Sequence, residues 1–155
     1  SFSHGGVKAA ALGITIGEGM QYTNLGRGIA SAAAELASSR ARKDVKRAII
    51  ALTDGVATMP ENPANKSDKK YPETFAAAAA SEAKKGDTAA LYVIGLGRDL
   101  NTDFLQNTIA STPAHYYAAT SSSELASIYK QIAAAVCKEE IFTTKVFPRV
   151  NEVGK

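Results

Sequence analysis

Ala48-Ile49-Ile50-Ala51-Leu52-Thr53-Asp54-Gly55 is the stretch on which the fold turns. An unbroken apolar run that is β-branched at Ile49 and Ile50, and too short for a helix, reads as a strand buried on both faces of a sheet. It ends on a carboxylate and a glycine. Upstream, Tyr22-Thr23-Asn24-Leu25-Gly26 opens a segment in which Leu25, Ile29, Ala32, Ala33 and Leu36 recur at three- and four-residue steps, the pattern of a helix with one buried stripe. A hydroxyl at Thr23 and a carboxylate at Asp54 suit a small hard cation, which prefers oxygen ligands and keeps room for water. Taken singly, Thr23 is equally a helix-start hydroxyl and Asp54 a turn residue before glycine.

Working outward, Val7 to Ile16 is small and apolar between glycine pairs and reads as an edge strand. The segment from Val56 to Tyr71 carries prolines, asparagines and the run Lys66-Ser67-Asp68-Lys69-Lys70, which makes it a long solvated loop. Its Asn65-Lys66-Ser67 matches a glycosylation acceptor, a tripeptide common by chance. Pro72 suits the first turn of a helix that runs through Phe75 to Lys84-Lys85, with Gly86 placed to end it. Leu91 to Leu96 is a second buried strand. Asn101 follows as an N-cap, with Leu100 and Leu105 as a hydrophobic staple. His115 to Ala118 is a short last strand. Ser121 and Glu124 form a capping box for a helix striped by Leu125, Ile128, Tyr129, Ile132 and Val136. Ile141 to Phe147 has strand chemistry, interrupted by Pro148.

Strands alternating with helices imply an open α/β sheet with right-handed crossovers. Ligands of such sheets bind at the carboxyl ends of the strands, where Thr23 and Asp54 both fall. With 155 residues the chain has the size of one domain able to bury a core, and 45% hydrophobic with 21% charged residues excludes a disordered composition. A net charge of +3 without aromatic interleaving argues against a nucleic-acid surface. The basic residues Arg40, Arg42, Lys43, Lys46 and Arg47 sit where a helix ends and complement its dipole. No apolar run is long enough to span a membrane, and Ser1 to Gly6 lacks signal-peptide character, so the chain is expected to start mid-protein or to have been processed. Cys137 leaves two readings open, a small buried hydrophobe or one half of a disulfide.

Four segments in this order, Thr23 to Ile29, Leu52-Thr53-Asp54-Gly55, Val93 to Gly97 and Tyr117-Ala118-Ala119-Thr120, resemble the von Willebrand factor A family from Ser1 to about Cys137. The resemblance implies a Rossmann-like, doubly wound and mostly parallel sheet with one antiparallel edge strand. It divides the chain into a domain at 1–137 and a tail, linker or donated strand at 138–155. It also implies a metal-ion-dependent adhesion site holding Mg²⁺, or another divalent cation such as Mn²⁺ or Ca²⁺. Thr23 would supply the second-loop hydroxyl and Asp54 the third-loop carboxylate, acting through water. The family's first loop, Asp-x-Ser-x-Ser after the first central strand, does not occur here. The remaining ligands are therefore expected outside these residues, and the cation only if that loop is supplied. Leaving a central strand's neighbours unpaired costs about 1–3 kcal/mol per buried group. The strand is thus expected from an upstream segment, from a second chain, or from the Ile141 to Phe147 tail. By the same resemblance Cys137 lies at the opposite end of the sheet from Thr23 and Asp54, where it would pair with a cysteine just upstream of the missing strand.

The function implied is an extracellular or cell-surface adhesion module that recognises a protein or matrix ligand by an exposed carboxylate. The alternative is a structural subunit of a pilus, filament or matrix in which the fold is scaffold and the metal site degenerate. No catalytic residue is expected. Gly95-Leu96-Gly97-Arg98-Asp99 lacks the third glycine of a dinucleotide fingerprint, and His4 and His115 have no Gly-x-Ser-x-Gly elbow to serve.

Overall fold

The computed structural model describes residues 4–13, 22–42, 45–85 and 89–139. Their order is helix α1 (His4–Leu12), helix α2 (Leu25–Ala37), strand β1 (Ala48–Thr53), helix α3 (Tyr71–Ala83), strand β2 (Ala90–Leu96), the short helix α4 (Thr102–Phe104), strand β3 (Tyr116–Ala119) and helix α5 (Leu125–Glu139). A π-helical turn, Leu105–Ile109, continues α4. The three strands form one parallel sheet in the order β1-β2-β3, with Ala48 opposite Ala90 and Val93 opposite Tyr116.

The core lies on both sides of β2, whose Leu91, Tyr92, Val93 and Ile94 are fully buried. Side chains alternate along a strand, so Leu91 and Val93 join Ile49 against α2 and α3, while Tyr92 and Ile94 meet Ile128 and Ile132 of α5. The result is a three-layer, Rossmann-like α/β arrangement. Before β3 begins, Ser111 extends the ladder. Its hydroxyl accepts from Leu91 N at 2.8 Å and its amide donates to Leu91 O at 2.9 Å.

Two expectations are corrected here. The segment read as an antiparallel edge strand, Val7 to Ile16, is helical through Leu12, and Gly13 N closes the last turn on Ala9 O at 3.0 Å. Ala9, Ala10 and Ala11 favour the helix, and Val7 alone is β-branched within it. Ile14, Thr15 and Ile16, which carried the strand reading, lie outside the described residues, as do Gly86 and the Ile141 to Phe147 tail. The second correction concerns β1. It was expected to be buried on both faces, yet Ile50 is 40% exposed and Leu52 46%. Among the described residues β1 pairs only with β2, and of β1 only Ala48 packs against the cluster that α5 forms with β2 and β3. The edge where a missing central strand was expected is therefore bare among these residues.

Helix ends follow the sequence closely. Asn101 Oδ1 caps α4 by accepting from Phe104 N at 3.2 Å. Arg47 Nη1 donates to Leu36 O at 2.8 Å and so serves the end of α2, whereas Arg40 pairs with the Glu35 carboxylate. Ahead of α5 the box is displaced by one residue. The Glu124 carboxylate accepts from Thr120 N at 3.1 Å and from the Thr120 hydroxyl at 2.8 Å, which holds it below the usual carboxylate range.

Candidate functional site

Thr23 and Asp54 are carried by segments that the sheet brings together at its carboxyl end. β1 finishes at Thr53, a buried residue whose hydroxyl donates to Gly55 O at 3.0 Å. That bond tightens the turn, and alternation along the strand then sends Asp54 outward, where it is exposed. Opposite it, Asn24 rather than Thr23 caps α2, with Asn24 Oδ1 accepting from Arg27 N at 3.0 Å. The capping reading of Thr23 is thereby replaced, and its hydroxyl faces the Asp54 turn instead. Thr23 Oγ1 lies 3.8 Å from the point a Cβ on Gly55 would occupy.

The two segments are also bonded through their backbones. Thr23 N donates to Thr58 Oγ1 at 2.8 Å, while Thr58 N and Met59 N donate to Thr23 O at 2.9 and 3.1 Å. Thr58 was not singled out from the sequence. It sits in a loop without periodicity, and no local signal marks a contact so remote along the chain. Beside this clamp a groove of about 350 Å³ runs along β1 and α2, with Thr23 and Thr53 among its walls and Leu25, Ile29, Ile50 and Leu52 supplying apolar surface.

One exposed carboxylate and one half-buried hydroxyl on adjoining turns are the oxygen types a hard cation takes. They fit such an ion as two of its roughly six ligands. Among the described residues no three His, Cys, Asp or Glu side chains gather to hold a metal. The glycines after β2 have structural duties: Gly95 admits Leu100 and Tyr116, and Gly97 adopts a φ of 100° while its amide donates to Ala119 O at 2.9 Å. His115 packs its ring on Tyr92, with centroids 4.2 Å apart. Cys137 is exposed near the end of α5, which overturns its reading as a buried hydrophobe.

The loop after Asp54 is ordered by its own side chains. Asn62 Nδ2 donates to Asp68 Oδ2 at 3.0 Å and Lys70 N donates to Asp68 Oδ1 at 3.1 Å. The Asn62 bond, followed by the Lys70 amide, holds the Asp68 carboxyl below its ordinary value of 3.8. A depressed carboxyl contributes order that is complete above its unfolded value and is lost as pH falls through the folded one. NMR amide shifts of Ala64, Ser67 and Lys70 should therefore hold steady from neutral pH down to the ordinary carboxyl range and move together below it. In Asp68→Asn that common transition should vanish.

A family model described as the von Willebrand factor type A domain matches residues 9–131. No curated protein matches. The solved structure of proximal thread matrix protein 1 from the mussel byssus is similar with a TM-score of 0.61 and 21% identity, over 86% of this chain and 29% of that one. The likeness is one of fold, and the chain spans less than a third of that protein. No helix among the described residues is long and apolar enough to cross a membrane.

Proposed function

Because the chain belongs to the von Willebrand factor type A family, we propose that it acts outside the cell as an adhesion or matrix-binding module. Its partner is a protein or matrix ligand that presents a carboxylate to a divalent cation, Mg²⁺ by preference, held with the help of Thr23 and Asp54. The observation that carries this reading is the Thr23 hydroxyl facing the Asp54 turn while Thr58 clamps the Thr23 backbone. When bound, the cation supplies a Lewis-acidic centre for the partner's oxygen. Thr23 and Asp54 orient it, and water together with ligands from outside residues 1–155 completes the shell. Those ligands arrive with the strand that covers the bare edge of β1, from an upstream segment or a second chain.

A second reading, a structural component of a fibre or matrix, is favoured by one specific finding, since a similar solved structure is that of a thread matrix protein. Calorimetric titration of the natural full-length protein with Mg²⁺ and Mn²⁺ separates the two. The binding module takes up the cation, and Asp54→Ala or Thr23→Ala weakens uptake at least about tenfold. A full-length protein that takes up neither ion, or variants that bind as the parent does, would leave the scaffold reading.

A further inference from the structure

The loop that follows Asp54 is long and carries most of its charges at the surface. From Val56 to Lys70 it contains no helix or strand. Segments beyond about 12–15 residues without secondary structure are uncommon in compact domains and are usually functional or disordered. This one is fastened throughout. It starts on Thr23 through Thr58 and Met59. Its middle is organised by Asn62 Oδ1, which accepts from Ala64 N at 2.9 Å, and by Asn65 Oδ1, which accepts from Ser67 N at 3.1 Å. It leads directly into α3, whose Phe75 and Ala76 abut Gly26 in the first turn of α2. The start of the loop is thus tied to Thr23, and the helix that follows it abuts Gly26.

The charges on this loop differ in exposure. The Asp68 carboxylate is engaged by Asn62 and by the Lys70 amide. Lys66, Lys69 and Lys70 are exposed, and Glu61 is the other exposed charge. An ordered backbone presents those lysines without the entropic cost of fixing a loop on binding. We propose that this loop reads the partner of the site described above, and that it takes an acidic segment of a protein, a stretch of Asp and Glu flanking the carboxylate that reaches the cation. The proposal rests on the binding-module reading and names the class of partner.

The test uses the natural full-length protein and a fluorescent oligoglutamate peptide, followed by anisotropy at low and at physiological salt. The triple variant Lys66→Glu/Lys69→Glu/Lys70→Glu is expected to bind at least about tenfold more weakly and to show a flatter salt dependence. The charge-matched triple Lys8→Glu/Lys85→Glu/Lys130→Glu, at exposed positions elsewhere, should bind within about twofold of the parent. Equal weakening in the two triples would reduce the effect to net charge and overturn the proposal. Binding of heparin in place of the peptide would overturn it in favour of a sulfated glycan. The series is repeated in EDTA. A lysine effect that persists there supports the loop even if the cation reading has failed, and loss of peptide binding by the parent at both salts removes the loop from recognition.

Discussion

Gly26→Ala is expected to destabilise the protein by about 1–3 kcal/mol, the usual cost of forcing a methyl group into a filled contact. A Cβ at Gly26 would stand 2.6 Å from Phe75 Cδ1, 2.9 Å from Ala76 Cα and 3.0 Å from Ala76 N. The phenylalanine ring can turn away. The backbone of α3 cannot, without shifting a helix whose Ala76, Ala80 and Ala83 are already buried. Helix propensity pushes the other way, since alanine is favoured over glycine by about 1 kcal/mol within a helix. The sign of the measured change therefore decides whether the two helices meet as closely as described. Gly95→Ala supplies the comparison, because its short contacts are the ends of two side chains, Leu100 Cδ1 and Tyr116 OH, each 2.7 Å away. Urea denaturation should place Gly95→Ala between the parent and Gly26→Ala. A stabilised Gly26→Ala protein would refute the close approach.

Tyr92→Ala should cost more, about 3–5 kcal/mol, in line with large aromatic truncations in packed cores. The Tyr92 side chain is 0% exposed and lies in the cluster of Ile94, Ala119, Ile128 and Ile132 that joins α5 to the sheet. Its ring also lies against that of His115, tilted by 36°. Single domains are stable by roughly 5–15 kcal/mol, so this loss removes a large share of the margin. Tyr92→Phe keeps the volume and should lose less than about 1.5 kcal/mol. Equal midpoints for Tyr92→Ala and the parent in chemical denaturation would mean that the α5 layer does not hold the sheet as drawn.

The parts of this fold that could be read beforehand are those written in local chemistry. The apolar runs at Ile49 to Leu52 and Leu91 to Leu96 became strands because their composition admits little else, and Asn101 became a cap because its side chain reaches an amide three residues on. Thr23 and Asp54 could be named only through the family resemblance, and Thr23 Oγ1 lies near Gly55, the residue after Asp54. What failed depended on neighbours. Val7 to Leu12 reads as strand or helix by hydrophobicity alone, and alanine propensity chose the helix. A run such as Ile49 to Leu52 reports that a strand is apolar, not how many of its faces are covered. For Cys137, sequence could not say whether its face of α5 points at the sheet. The clamp by Thr58 was invisible because nothing local distinguishes one loop threonine from another.

The sheet described above has a kinetic side as well. Each parallel pair must bring together residues far apart along the chain, Ala48 with Ala90 and then Val93 with Tyr116. Such non-local contacts carry a loop-closure cost before they give anything back, which slows folding. Throughout that interval the outer side of β1, with Ile50 and Leu52 on one face and no strand beside it among the described residues, offers amides and carbonyls to whatever strand arrives first. Capture of that edge by a neighbouring molecule therefore competes with productive folding, and crowding of nascent chains favours capture.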